Sequence, residues 1–262
     1  MNDQLDTLNN LIPVIAIVAM ATFMTLERWL PYFEHGASRG RQRWRNLGII
    51  AIGFAMNAVL GAAWVMPVMW ADAHRFGLMY HLDVWPPLAV AIGVFLIDLY
   101  NYAQHVTSHF VPALWRIHRV HHADTELDAT SGLRTHPFEL LLLLFVPALI
   151  LPLLGVPVAS FIVYNVVALP WFMLNHSNLQ YPAWFERWAS LLMATPDWHR
   201  IHHSSHQPET DSHYGCVFSI WDRLFGTART ANAATIRFGL EKFRDPHEQT
   251  VWRLLKMPFR EL

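Results

Sequence analysis

The sequence predicts an all-α integral membrane helical bundle of about 4–5 transmembrane or hairpin helices, with a cytoplasmic histidine-rich helical cap. Three observations support this prediction. Only 15% of the 262 residues are charged, against roughly a quarter in soluble domains, and 53% are hydrophobic. The hydrophobic residues form long uncharged runs instead of being scattered. Twelve of the 16 histidines fall between His105 and His213.

Four apolar stretches predict the membrane helices, because a spanning helix needs roughly 20 apolar residues. The first three cover residues 11–26, 47–70 and 86–104. The fourth, residues 138–174, is too long for one span and is interrupted at "LPLLGVPV" by Pro152, Gly155 and Pro157, which break helices or form turns. We expect a hairpin of two helices there, and the sequence leaves open whether both cross the membrane fully.

The chain is expected to form one membrane domain over residues 1–262. Its first three transmembrane helices occupy residues 1–104, a histidine-rich region covers 105–227 and includes the hairpin 138–175, and a C-terminal tail covers 228–262. Cys216 is the single cysteine, which excludes an intrachain disulfide, a Cys₄ iron–sulfur site and a CxxC redox pair. The net charge of −1 and the absence of a basic stripe give no support for nucleic-acid binding. We expect no cleaved signal peptide, since the N-terminus has no positive region.

Charge bias predicts the orientation. The stretch "SRGRQRWRN" between the first two spans has four arginines and no acid: Arg39, Arg41, Arg43 and Arg45. Since cytoplasmic loops are enriched in Lys and Arg, we predict that this stretch is a cytoplasmic loop. Following the spans from there places one set of histidines on the cytoplasmic face: His105, His109, His118, His121, His122, His136, His176, His199, His202 and His203. The segment "YPAWFERWASLLMATPDWH" is expected to be an interfacial amphipathic helix.

Three histidine motifs predict a metal centre. "HVTSH" places His105 and His109 one helical turn apart, and "HRVHH" and "HRIHH" each place three imidazoles on one side of a helix. Imidazole is a common ligand of Zn, Cu, Fe and Ni, and eight histidines exceed the needs of one ion, so two neighbouring ions are expected. One such motif alone could be chance or a basic interfacial cluster. No HExxH zincin motif is present, and the Glu-x-x-His motifs of soluble di-iron bundles are missing.

These motifs resemble the membrane fatty acid hydroxylase, or sterol desaturase, superfamily, whose hallmark is HxxxH, then HxxHH, then a distant second HxxHH. The surrounding segments are similar too: "DLYNYAQH", "TSGLRTHPFE", "NHSN", "TPDWHRIHHS", "ETDSHYG" and "WDRLFGT". The resemblance covers roughly residues 96–227. One departure is His213, where the family usually has Asn before Tyr-Gly.

The resemblance implies two non-haem Fe ions, O₂ as co-substrate and two electrons from an external donor. It implies the following metal ligands: His105, His109, His118, His121, His122, His199, His202 and His203, with His176 as a ninth and His136 as a further candidate. Residues that orient the imidazoles are expected to include Asp98, Glu139, Asn175 and Asp197. Asp98 lies seven residues before His105 on about the same helical face. Asp211 and Asp222 are further candidates that could equally serve as turn or capping residues.

The implied activity is O₂-dependent hydroxylation or desaturation of a lipid C–H bond, and the sequence does not separate the two reactions. The substrate could be sterol-like, fatty acyl, an ether lipid or a carotenoid that reaches the site from the bilayer. The electron donor would be a separate protein, such as a cytochrome b5-like, ferredoxin-like or reductase partner. Two alternatives remain: a membrane protein that binds or transports metal without redox catalysis, and a zinc-loaded hydrolase.

Overall fold

A computed structural model describes residues 2–34, 36 and 38–261. These residues form helices, turns and irregular segments with no strand among them, which confirms the all-α prediction. The α-helices are α1 (Asn2–Leu26), α2 (Arg39–Ala73), α3 (Leu78–His81), α4 (Pro86–Phe110), α5 (Pro112–His122), α6 (Pro137–Leu154), α7 (Val158–His176), α8 (Ala183–Ala189), α9 (Pro196–His202), α10 (Gln207–Thr210), α11 (Ile220–Leu224) and α12 (Val251–Lys256). Short 3₁₀ helices cover Ala129–Leu133, Ala233–Thr235 and Met257–Phe259.

Five of the described helices are long and apolar enough, by length and composition, to cross a membrane. The qualifying segments are Thr7–Leu26 of α1, Arg39–Gly61 of α2, and the whole of α4, α6 and α7. Many of their apolar side chains face outward, as expected where lipid takes the place of water. The predicted number of membrane helices is therefore confirmed.

The apolar stretch that was too long for one span folds as the predicted hairpin of α6 and α7. Gly155 ends α6 in the left-handed conformation, with φ at +69°, where a residue with a Cβ would be strained. Gly77 packs against this turn so closely that a Cβ on it would lie 2.3 Å from the Gly155 nitrogen. Pro157 then precedes α7 with the extended backbone of an N-cap residue.

Helix α7 lies at the centre of the bundle, where it packs against α1, α4, α9 and the 3₁₀ helix Ala129–Leu133. Its contact with α4 is close because Gly93 has no side chain. A Cβ there would lie 2.2 Å from the hydroxyl oxygen of Ser160. The last turn of α7 consequently reaches the middle of the histidine-rich region.

A buried ion-pair network joins the end of α1 to the start of α2. The fully buried carboxylate of Glu27 accepts hydrogen bonds from Arg39, at 2.8 Å, and from Arg43. Arg43 also donates to Asp128 at 2.7 Å. The prediction of a loop is therefore wrong for these arginines, which belong to the first turns of α2 and pair with buried acids. The cytoplasmic orientation of this stretch stays a prediction, since it depends on the number of arginines and not on their ion pairs.

The Trp-rich segment after α7 forms two short helices instead of the one expected interfacial helix. Helix α8 has no buried residue, and its Trp184 and Trp188 are 65% and 60% exposed. Helix α9 begins anew at Pro196, a residue that suits the first turn of a helix and interrupts a longer one.

The C-terminal segment packs against the histidine-bearing helix α5. Val120 of α5 shares a buried apolar cluster with Leu254 and Met257. The buried guanidinium of Arg119 donates to the carbonyl oxygens of Met257 and Arg260, both at 2.5 Å. The end of the chain therefore braces α5 from the side opposite to its histidines.

Candidate metal centre

Nine histidines from four helices converge in two neighbouring groups. The five-histidine group consists of His105, His109, His118, His122 and His202. The four-histidine group consists of His121, His176, His199 and His203. Within each group, the nitrogen atoms available as ligands lie within 4.8 Å of one another. The sequence motifs predicted this convergence.

The two HxxHH motifs do not each serve one group. In "HRVHH", His118 and His122 belong to the five-histidine group, whereas His121 belongs to the four-histidine group. In "HRIHH" the assignment is reversed, since His202 alone joins the five-histidine group. The first and last histidines of each motif are four positions apart and share a helical face. The middle histidine, His121 or His202, points to the adjacent face. Each motif therefore links both groups.

Six of the nine imidazoles are oriented by a hydrogen bond from Nδ1. The acceptors are the carbonyl oxygens of Tyr214 for His105 (2.8 Å), Arg134 for His121 (3.3 Å), Phe172 for His176 (2.6 Å) and Ser212 for His202 (2.7 Å), together with carboxylates of Asp211 for His109 (3.2 Å) and Glu139 for His118 (2.6 Å). A neutral imidazole that donates through Nδ1 presents a lone pair at Nε2. These contacts therefore leave Nε2 as the ligand atom and fix the direction in which it points.

The Nε2 atoms are crowded in a way that protein hydrogen bonds alone do not explain. Nε2 of His176 lies 3.1 Å from that of His121, 3.0 Å from that of His199 and 3.1 Å from that of His203. Since Nδ1 carries the proton of both His176 and His121, their Nε2 lone pairs face each other. A cation between them would turn this repulsion into ligation.

The five-histidine group shows the same arrangement. Nε2 of His118 lies 3.1 Å from Nε2 of His122. The Nε2 atoms of His105, His109 and His202 are buried without any hydrogen-bond partner in the described structure. Buried polar atoms normally have a partner, so this donor set fits a metal ion.

Burial keeps the grouped histidines that lie outside the membrane helices neutral. It lowers the pKa of His121, His122, His199, His202 and His203 well below the usual range, and neighbouring imidazoles lower these pKa values further. The neutral ring is the form that binds a metal, because protonation would remove the Nε2 lone pair.

Three of the residues expected to orient the imidazoles touch them. Glu139 accepts from His118, Asp211 accepts from His109, and Asn175 accepts from His176 at 2.8 Å through Oδ1. The amide of Asn175 also donates to the carbonyl oxygen of Cys216 at 3.1 Å. Asn175 thus ties His176 to the loop that carries Tyr214.

The other expected residues act elsewhere. The fully buried Asp98 accepts from the Tyr164 hydroxyl and the Trp221 indole, both at 2.8 Å, and from the backbone N–H groups of Val217 and Phe218. It therefore holds the loop of residues 214–218, not an imidazole.

Two further aspartates also bind groups other than imidazoles. Asp222 accepts from the backbone N–H groups of Tyr214 and Gly215. Asp197 pairs with Arg200 at 2.7 Å.

The structure brings neither His136 nor His213 into a histidine group. His136 is the N-cap of α6, where Nδ1 accepts from the Phe138 N–H and Nε2 donates to the Leu255 carbonyl oxygen. His213 donates through Nε2 to the Arg229 carbonyl oxygen at 2.6 Å.

Sequence reasoning missed the supports behind the first HxxHH motif. Asp124 is fully buried and accepts from Asn46 and Ser131, at 2.8 and 2.7 Å. Arg134 lies 3.4 Å from the same carboxylate, while its carbonyl oxygen accepts from His121. An Asp two residues after the end of "HRVHH" was the available signal.

Gly132 was also missed. It is important because the backbone of α7 lies very close to it. A Cβ on this residue would lie 2.3 Å from the carbonyl oxygen of Phe172, which accepts from His176. Only glycine lets this segment pass beneath the end of α7.

The chain is similar to several known lipid hydroxylases and monooxygenases. The chain is 28% identical over 222 residues to the ornithine lipid hydroxylase OlsE of Rhizobium tropici, covering 82% of this chain and 66% of the relative. It is 28% identical over 164 residues to the cholesterol 25-hydroxylase of Rattus norvegicus (61% and 53%) and 24% identical over 202 residues to the alkylglycerol monooxygenase of Homo sapiens (74% and 40%). In these alignments, the chain matches between two fifths and two thirds of the length of these relatives. No solved structure matches it.

The fatty acid hydroxylase family model matches residues 90–227, just over half of the chain, and this range contains both histidine groups. The resemblance noted from the sequence is thereby confirmed: the chain belongs to the fatty acid hydroxylase family.

Proposed function

We propose that the chain is a membrane-bound non-haem di-iron oxygenase that hydroxylates a lipid C–H bond with O₂ and two electrons from an external donor. The observation that carries this proposal is the pair of buried all-imidazole groups at the ends of apolar helices. Two groups suit two ions, and a fully nitrogen donor set differs from the carboxylate-rich sites of soluble di-iron bundles.

The proposed ligands are the nine histidines of the two groups. When bound, iron would supply the activation of O₂ that an unactivated C–H bond requires. The residues of the chain hold the imidazoles neutral and aim Nε2 inward through the Nδ1 acceptors. Burial of the groups excludes bulk water, which protects the site from side reactions.

A lipid substrate is proposed from two observations. The names of three relatives describe hydroxylation or monooxygenation of an ornithine lipid, cholesterol and alkylglycerol. Helices α4 and α7 lead from apolar surroundings directly to ligand positions His109 and His176. Hydroxylation is favoured over desaturation because these names describe oxygen insertion.

We further propose that electrons arrive from a separate donor protein. Cys216 is the single cysteine of the sequence, so the chain offers no cysteine set for an iron–sulfur cluster of its own. The donor would be of cytochrome b5-like, ferredoxin-like or reductase type. It would bind on the cytoplasmic side, where the arginine bias predicts that the histidine groups lie. The chain would act as one domain in which residues 105–227 carry the site.

The test combines lipid analysis with metal analysis. The wild-type protein and a His202→Ala variant would be expressed in a strain lacking the gene, and lipids would be compared under ¹⁸O₂. We expect a lipid heavier by one labelled oxygen with the wild-type protein only, and about two Fe in each purified wild-type chain. The matched control is His247→Ala, an exposed histidine outside both groups, which should behave as wild type.

Several outcomes would contradict the proposal. Labelled lipid formed by His202→Ala at the wild-type rate would refute the ligand assignment. Bound metal without any O₂-dependent lipid product would instead favour a metal-binding or transport protein. Zinc with O₂-independent turnover would indicate a hydrolase.

A further inference from the structure

A second polar site lies behind α9, on the side away from the histidine groups. It is a cavity of about 260 Å³ lined by residues of α8, α9 and the loop after α11. Asp197, Trp198 and Ile201 of α9 line it, whereas His199 and His202 of the same helix belong to the metal centre. The proposed oxygenase activity gives this cavity no role.

Several polar atoms with few hydrogen-bond partners meet in this cavity. The carboxylate of Glu186, the hydroxyl of Thr195 and Nδ1 of His213 line it. The Glu186 carboxylate has the Thr195 hydroxyl and the Asp197 backbone N–H as neighbouring donors, whereas Nδ1 of His213 has no hydrogen-bond partner in the described protein. Thr195 and His213 are each only 1% exposed. A buried acceptor without a full set of donors loses free energy, so the concentration of such acceptors in one place indicates a missing ligand.

The chemistry of these atoms specifies a hydrogen-bond donor. Because Nε2 of His213 donates to the Arg229 carbonyl oxygen, Nδ1 of that ring is an acceptor. The Glu186 carboxylate is also an acceptor, and burial raises its pKa to about 7. A hydroxyl can serve as acceptor as well. A primary ammonium, with three N–H donors and a positive charge, can donate a hydrogen bond to each of these three acceptors.

A metal ion fits the cavity less well. Among the described residues, only the two histidine groups bring three or more metal-ligating atoms within 4.8 Å of one another. The cavity therefore lacks the set of three close ligand atoms that would hold a single ion. The volume lies below the roughly 300–1,000 Å³ of pockets for drug-sized molecules, which suits a headgroup rather than a whole lipid.

The rim of the cavity and its surroundings indicate a lipid as the source of the ammonium. The exposed Arg229 at the rim offers a cationic partner for a phosphate. On the neighbouring surface, α8 and the following turn expose Trp184, Trp188 and Leu192. Exposed tryptophan and leucine on a short helix are typical of a surface that lies at the headgroup level of a bilayer.

We propose that this cavity binds the head of a zwitterionic lipid, with its primary ammonium at Glu186, Thr195 and His213 and its phosphate at Arg229. His213 stands where relatives of this family usually have Asn, and here it supplies one wall of the cavity. The site is independent of the proposed metal chemistry, since it lies on the reverse face of α9.

The test measures lipid binding to delipidated protein in detergent by native mass spectrometry. The probes are phosphatidylethanolamine and phosphatidylcholine with the same acyl chains, because the choline head has a positive charge but no N–H donor. We expect wild type to prefer the ethanolamine lipid by about tenfold, the scale of a charge-assisted hydrogen bond. The preference should fall to about twofold or less in Glu186→Gln and in the isosteric Thr195→Val.

The matched control is Glu241→Gln, which removes an exposed carboxylate elsewhere and should keep the wild-type preference. Metal content and thermal midpoint report folding, and Thr195→Val preserves side-chain volume if Glu186→Gln proves unstable. Equal binding of the two lipids by wild type would overturn the proposal, and so would an undiminished preference in both cavity variants. Displacement of the lipid by micromolar soluble phosphoethanolamine would overturn the membrane source and assign the site to a soluble amine.

Discussion

Replacing Asp98 by Asn should destabilise the protein and loosen the two histidine groups, although none of the hydrogen bonds described for Asp98 goes to a histidine. The carboxylate accepts four hydrogen bonds, from Tyr164, Trp221, Val217 and Phe218. An asparagine at this position could accept only through its single oxygen. Its NH₂ group would face the N–H groups of Phe218 and Trp221, which would both lose their acceptor.

The size of the effect follows from this count. A buried donor left without an acceptor costs about 1–3 kcal/mol, so two such donors cost about 2–6 kcal/mol. For a chain of this size, 1 kcal/mol corresponds to about 2–4 °C in the thermal midpoint, so a decrease on the order of 10 °C is expected. The same loop carries the carbonyl oxygens of Tyr214 and Cys216, which accept from His105 and from Asn175. Bound metal should therefore decrease as well.

The assay is a thermal unfolding curve in detergent together with the number of metal ions in each purified chain. The control is Trp221→Phe, which removes one donor, leaves the carboxylate with three others, and should lower the midpoint by only a few degrees. Wild-type midpoint and metal content in Asp98→Asn would refute the reasoning. Equal losses in both variants would show that the indole, not the carboxylate, holds the loop.

Three further changes have distinct expected results. Gly132→Ala places a Cβ 2.3 Å from a carbonyl oxygen of α7 and should reduce metal binding measured by elemental analysis, whereas Gly40→Ala, with nothing within 4 Å, should leave it unchanged. Glu139→Gln removes the negative charge beside His118 and should weaken metal binding about 10–100-fold in a chelator competition, and an unchanged affinity would contradict the role given to that carboxylate. Gly155→Ala forces a side chain into a left-handed turn and should lower stability by about 1 kcal/mol or more in a denaturation series, whereas full stability would mean that the hairpin turn relaxes.

The sequence predicted the membrane helices and the convergence of the histidines because both depend on local patterns. A run of apolar residues specifies a spanning helix regardless of its neighbours, and Gly155 between two prolines specifies a turn. The family segments added Glu139 and Asn175, which contact His118 and His176 in the structure.

Contacts between segments distant in the sequence could not be predicted in the same way. Arg39 and Arg43 were predicted to lie in a loop, because their partners Glu27 and Asp128 lie outside that stretch. Asp98 shares a helical face with His105, but the loop of residues 214–218 occupies the space beside it.

The division of the two HxxHH motifs also depends on packing. Helical spacing places three imidazoles of each motif on one side of a helix. In the structure, however, the middle histidine of each motif belongs to the other histidine group. The sequence predicted two ions without indicating how the ligands would be shared between them.

The sharing of α5 and α9 between the two histidine groups has a thermodynamic consequence. In the proposed two-ion centre, an ion bound at either group would fix both helices and so lower the conformational entropy that a second ion must remove on binding. The two binding events should then be positively cooperative, and by linkage the loss of one ion should weaken retention of the other. A titration of the metal-free protein should show few singly loaded chains, with holoprotein forming directly from apoprotein.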